Sequence, residues 1–329
     1  MVQEPLLSVE GLQTWCFTRT GVVKAVDGVS FTLDRGEALG LVGESGSGKS
    51  MTCNSIVRLA PQAARTVGGR VLFEGRDLLQ LKEAQMREVR GGRIGMILQD
   101  PLMSLNPVFT IGNQVGESFR LHGGRRSATE IRRDVVEVLA QVNIPSPAQR
   151  MASYPFQFSG GMRQRTVAAM ALAGRPSLLI ADEPTTALDV TVQDQFLRLL
   201  KDLQANAGMA LLMVTHDLGI VAETCDRVAV MYAGRIVEIG KVQDVLGRPA
   251  HPYTEALLQA LPKAGVRRKR LFQIPGEPPN LMDLPPGCAF LPRCHRATEL
   301  CKTGVPPMVD LGAGRRAACW HLARQEALA

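Results

Sequence analysis

At 329 residues, 45% of them hydrophobic and 21% charged, the chain is sized for one large α/β domain plus an appendage and has an ordinary globular composition. No apolar run approaches the roughly 20 residues that a membrane-spanning helix needs; the best stretches, near Val167–Ala173 and Ala210–Val214, are far shorter, so any membrane role has to come through partners. The formal charge of +7 suits nucleic acid, nucleotide phosphates or an anionic surface alike, and the pairs Arg125/Arg126 and Arg132/Arg133 and the run Arg267–Arg270 read first as solvated surface.

The N-terminus, MVQEPLLSVEGL, has an early acid and no basic segment leading into an apolar stretch, so a cytosolic chain without a secretory signal is expected. LLSVEGL, VSFTL and GGRVLFEGRDL then alternate apolar and polar residues between turn formers, which predicts an antiparallel β-rich part. Leu39–Val42, Ile94–Leu98, Leu178–Ala181 and Leu211–Val214 are apolar without alternation, as strands covered on both faces are. An α/β fold with a mostly parallel core sheet follows. From about residue 100 to 165 the pattern is helical: Ser127 and Glu130 form a capping box, and Ile131, Val135, Val138, Leu139 and Val142 line one face. The alternation of strands and helices ends near residue 246. Beyond it, a short helix around Glu255–Ala260 gives way to a basic run and a Pro/Gly-rich tract, IPGEPPNLMDLPPG, which cannot build a conventional core. The reading is two parts, 1–246 and 247–329.

Gly43, Glu44, Ser45, Gly46, Ser47, Gly48, Lys49 and Ser50 spell GESGSGKS between the strand LGLV and a helix beginning at Ser50 and Met51. Glycines let successive backbone N–H groups curl around phosphate oxygens, and the helix start adds its positive dipole end. Lys49 suits the β- and γ-phosphates and Ser50 suits Mg²⁺. The strand LLIADEP places two carboxylates at the C-terminal edge of a parallel sheet, where ligands bind. Asp182 suits Mg²⁺ through water, and Glu183 suits the water that attacks a γ-phosphate. Paired acids after a strand are as often capping or solvated; the P-loop on the same chain gives them their meaning. Ser159, Gly160 and Gly161 open another helix, a second candidate anion-binding start whose plain alternative is a helix cap.

The series P-loop, Gln99 in LQDP, FSGGMRQR, ADEP and His216 in MVTHD, spread over about 240 residues by order and spacing, resembles the ATP-binding cassette family. Phe158 and Met162 replace the leucine and glutamine of the family's LSGGQ signature, leaving the Ser-Gly-Gly that faces phosphate. The resemblance implies that Glu183, His216 and Gln99 serve catalysis and that Ser50, Gln99 and Asp182 serve Mg²⁺. It also implies that Phe17 stacks on adenine, with Trp15 as competitor, and that Ser159, Gly160, Gly161 and Asp189 act across a dimer on the partner's ATP.

GESGSGKS, MILQDPLMSLNP, YPFQFSGGMRQR, ADEPTTALDVTVQDQ, VMYAGRIVEIG and HPYTEALL are similar to one branch, the ATPase subunits of dipeptide and oligopeptide importers, with nickel, opine and glutathione importers sharing the type. This implies a second, nonidentical ATPase subunit, two transmembrane permease subunits, an external solute-binding protein, no nucleic acid, and a peripheral place on the cytoplasmic face of the inner membrane. A soluble ATPase acting on DNA or ribosomes is the rival; such proteins carry two cassettes or a long coiled coil, and neither occurs here. Cys288, Cys294, Cys301 and Cys319 lack the C-x-x-C knuckles of most zinc sites and leave iron, zinc or unligated thiols open, with His295 and His321 as substitute ligands. The branch resemblance implies a 4Fe-4S cluster on these four. Cys16, Cys53 and Cys225 read as packing residues.

Overall fold

The computed structural model describes residues 4–122, 124, 126–186, 188–261 and 272–326; the Arg267–Arg270 run and Arg125 lie outside the described residues. The chain forms two compact, discontinuous units. One comprises Met1–Leu7, Leu33–Ala38 and Leu72–Thr215, the other Ser8–Thr32, Leu39–Val71 and His216–Ala329.

In the first unit the strands Ile94–Ile97, Leu178–Asp182 and Ala210–Thr215 run parallel, with Leu178–Asp182 in the middle, hydrogen-bonded to both neighbours. Every residue of Leu178–Asp182 and of Ala210–Thr215 is buried, which is why neither shows polar alternation. Helices fill the stretch between the first two strands: Pro101–Ser104, Ile111–His122, Ala128–Gln141, Pro147–Arg150 and Gly160–Leu172. The expected capping box is present: Glu130 N–H donates to Ser127 Oγ at 3.2 Å and Ser127 N–H donates to Glu130 Oε2 at 2.7 Å. Val135, Val138, Leu139 and Val142 are buried, so the 3.6-residue spacing of that stripe does turn it to a core. Together they account for roughly 6–10 kcal/mol of apolar transfer, at about 1.5–2.5 kcal/mol per side chain and before the entropy cost.

In the second unit Leu7–Thr18 and Gly21–Leu33 form a hairpin, and Ala64–Phe73 lies on the other side of Leu7–Thr18. A second set begins at Ala38–Val42, which pairs in parallel with Arg227–Tyr232. It continues antiparallel through Arg235–Lys241 and Arg316–Ala318 to Met308–Asp310. The Pro/Gly-rich tract makes no strand or helix of its own; Ile274, Leu281 and Leu284 from it pack on a core around Tyr232, Tyr253 and Phe290. The three rings meet with centroids 4.5 to 5.4 Å apart, in tilted and edge-on pairs that aromatic quadrupoles favour. No helix among the described residues is long and apolar enough to cross a membrane.

Candidate functional site

The second unit carries the phosphate loop. It follows the buried strand Ala38–Val42 and runs into the helix Lys49–Ile56. Gly48 stands at the helix N-cap with φ +104° and has no side chain to cap the first turn, and a helix start of this kind suits an anion. A Cβ on Gly48 would lie 2.2 Å from Ala25 O, and one on Gly43 would lie 2.2 Å from Met231 O; glycine is required at both for the loop to lie against its neighbouring strands. Lys49 is buried, with Nζ donating to Gly43 O at 2.7 Å and Glu44 O at 3.0 Å. Ser45, Gly46 and Ser50 are exposed, Ser47 is buried, and Met51 is half-buried. This donor set fits a polyphosphate: a lysine ammonium, an uncapped helix start and a glycine-opened backbone. His216 lies in the same unit, exposed. Phe17 is 45% exposed, with the Arg65 guanidinium 5.9 Å from its ring centroid, whereas Trp15 is half-buried beneath Lys24.

The first unit carries the carboxylates. Asp182 ends the central parallel strand and is buried. Glu183 takes φ +45°, a left-handed backbone conformation uncommon for a residue with a side chain, and its N–H donates to Val214 O at 2.9 Å. That ladder bond holds the strained turn directly after the strand. Gln99 Nε2 and Thr186 Oγ1 both donate to Glu183 Oε2, each at 3.0 Å. Two of the sequence-predicted residues, Gln99 and Glu183, are thus brought into direct contact, 84 positions apart in the chain. Thr186 was not anticipated; it lies in the DEPTT run, and only the tight turn at Glu183 brings its hydroxyl back.

Ser159, Gly160 and Gly161 do open a helix, Gly160–Leu172, where Ser159 Oγ accepts from Met162 N–H at 3.3 Å. Ser159 and Gly160 are exposed. Phe158, the substituted signature position, is buried and serves the core. Asp189 caps the helix Val190–Ala207, its Oδ1 accepting from Val192 N–H at 3.0 Å.

The tail cysteines require a correction. The 4Fe-4S site expected on Cys288, Cys294, Cys301 and Cys319 is not supported: among the described residues no group of three or more His, Cys, Asp or Glu side chains is arranged to hold a metal ion. The thiols act as small apolar side chains. Cys301 and Cys319 are buried, and Cys288 and Cys294 pack on the Tyr253–Phe290 core. Burial pushes the Cys288 thiol up to about 11 and raises those of Cys294 and Cys319.

Residues 26–186 match the ABC transporter family model, and residues 237–301 match the oligopeptide/dipeptide transporter C-terminal region. A probable peptide ABC transporter ATP-binding protein of Sinorhizobium fredii is 52% identical over 96% of this chain and 95% of its own length. The dipeptide transport ATP-binding protein DppD of Bacillus subtilis is 46% identical over the same shares. Among solved structures, a dimeric ATP-binding cassette in a post-hydrolysis state, bound to ADP and Pi, aligns with TM-score 0.65 and 26% identity over 72% of this chain and 98% of that one. The fold is that of an ABC ATPase. The chain belongs to the ATP-binding proteins of ABC transporters, in the oligopeptide/dipeptide transporter branch.

Proposed function

We propose that this chain hydrolyses ATP to drive uptake of dipeptides and oligopeptides. It works as a peripheral subunit on the cytoplasmic face of the inner membrane, under two permease subunits fed by an external solute-binding protein. The observation that carries the reading is the Glu183 carboxylate, fixed by Gln99 and Thr186 at the end of a parallel strand on a chain that also has a phosphate loop. Residues 43–51 bind the triphosphate through backbone N–H groups and Lys49, and Phe17 stacks on the adenine. As the family resemblance implies, Ser50, Asp182 and Gln99 would hold Mg²⁺, which would offset charge on the phosphate oxygens. Glu183 takes the proton of the attacking water, with Gln99 and Thr186 keeping the carboxylate aimed, and His216 donates to the γ-phosphate. Ser159, Gly160, Gly161 and Asp189 complete the ATP site of a second, nonidentical ATPase subunit, so each chain alone is half an enzyme.

The permease contact is assigned to the apolar surface that follows Gln99. Leu102, Met103, Val108, Phe109 and Phe156 are all exposed, Met103 at 86%, and Tyr154 stacks on Phe156 at 5.6 Å. Large apolar side chains exposed in such number call for a cover. Their neighbour Gln99 touches Glu183, which links chemistry to the covered surface. The test is ATP-dependent uptake of a labelled peptide into vesicles holding the full assembly. Met103→Asp/Phe156→Asp is expected to cut uptake at least tenfold while ATP still binds the chain; uptake at the wild-type rate would refute the assignment.

A further inference from the structure

Glu44 is an odd residue for a loop that receives phosphates, because its carboxylate has the same sign as the ligand. Every polar group of Glu44 is engaged. Its carbonyl accepts from Lys49 Nζ at 3.0 Å and, within the loop, from Ser47 N–H at 3.2 Å. Its N–H donates to Tyr253 Oη at 2.9 Å. Its carboxylate takes a forked pair of bonds from Arg293, Nη1 to Oε2 at 2.6 Å and Nη2 to Oε1 at 3.0 Å, across 249 positions of chain. Two of these holds come from residues beyond position 250, outside the stretch that matches the ABC transporter model.

The holding residues are themselves built in. The Arg293 side chain is 3% exposed, and its Nε donates to Pro275 O at 3.0 Å, the Pro/Gly-rich tract supplying the acceptor. The guanidinium lies 5.8 Å from the Tyr232 ring centroid, and Tyr232 in turn packs on Tyr253. The bonds to Glu44 raise the Arg293 pKa further, so its charge is permanent. Tyr253 is fully buried, and its pKa is raised by that burial, so the hydroxyl stays neutral and able to accept the Glu44 N–H.

We propose that Arg293 and Tyr253 are positioning residues for the nucleotide: together they cancel the Glu44 charge and hold the loop backbone in its phosphate-accepting curve. When Lys49 turns to the triphosphate it gives up the Gly43 and Glu44 carbonyls, and from then on these outer contacts, with the Ser47 N–H bond to Glu44 O, keep the loop in place. A forked guanidinium–carboxylate pair supplies both charge and direction, which a lysine at 293 would not reproduce. The C-terminal part is thereby a component of the ATP site as well as an appendage. The inference rests on residues 43–51 being the triphosphate site.

Its test is calorimetric titration of the full-length chain with ATP and Mg²⁺, each variant first checked for a wild-type melting profile. Arg293→Met leaves the Glu44 carboxylate uncompensated and is expected to weaken ATP binding by about tenfold, or about 1.4 kcal/mol. Adding Glu44→Gln removes the stranded charge and is expected to restore at least half of that loss on a logarithmic scale; a residue that only supported the fold would show no such rescue. Tyr253→Phe removes one acceptor oxygen and is expected to weaken ATP binding about threefold. Should Arg293→Met fail to fold, the double variant and Tyr253→Phe decide the matter, and wild-type affinity in Tyr253→Phe then overturns the clamp. An Arg293→Met affinity within twofold of wild type, or no rescue by Glu44→Gln, overturns it too. Lys49→Ala is the control: unchanged affinity there would remove the phosphate-loop reading itself, whereas a loss there with none at Arg293 removes the clamp alone.

Discussion

Acidification tests the packing of the second unit through one side chain. His251 is 2% exposed, its Nδ1 accepts from Tyr253 N–H at 3.0 Å, and its ring lies 5.9 Å from that of Phe290. The accepting Nδ1 makes the native ring the neutral tautomer, protonated on Nε2. Burial lowers its pKa from 6.5 to about 3, so between those values the unfolded chain holds a proton that the native chain does not. Stability therefore falls as pH drops, by about 1.4 kcal/mol per unit once pH is well below the unfolded value, and the fall ends near the native value. Between about pH 7.5 and pH 5 the loss from this residue amounts to about 2 kcal/mol, a large share of an ordinary domain's stability. His251→Asn keeps an acceptor for the Tyr253 N–H but does not titrate. Urea unfolding at the two pH values, compared within each protein, is expected to give the variant a pH loss smaller by about 2 kcal/mol. Its lost ring contacts cancel in that comparison. An equal loss in both proteins would refute the reasoning.

Gly48→Ala puts a Cβ 2.2 Å from Ala25 O at φ +104°, and is expected to destabilise the chain by about 2–4 kcal/mol and to lower ATP affinity at least tenfold, read by thermal melting and nucleotide titration. Ser127→Ala breaks the capping box of Ala128–Gln141 and is expected to cost about 1 kcal/mol in urea unfolding with no change in ATP affinity.

What the sequence made legible is what is local. The phosphate loop shows because its glycines and lysine stand together in one eight-residue run between a strand and a helix, although the close approaches that require Gly43 and Gly48 come from distant strands. The capping box shows because both partners lie three positions apart. Contacts across long separations leave no periodicity: the bond between Arg293 and Glu44 spans 249 positions, and the sequence offers only an arginine between a proline and a cysteine and a glutamate between two small residues. Thr186 escaped notice because its role depends on the positive φ of Glu183. The tail cysteines misled for a related reason. Their cluster is carried over from the branch resemblance, but among the described residues no metal-holding group forms, and Cys288 and Cys294 pack on an apolar core. The division into units was equally hidden, since each gathers three separate stretches of chain.

The most direct measurement is ATP turnover by the chain assembled with its membrane partners, comparing wild type with Glu183→Gln. Glutamine keeps the shape and an oxygen for the Gln99 and Thr186 bonds but loses the basicity that takes a proton from water. ATP affinity is expected to be unchanged and phosphate release reduced at least about a hundredfold. Phosphate release at the wild-type rate would mean that another group activates the water, and the assignment of Glu183 would be wrong.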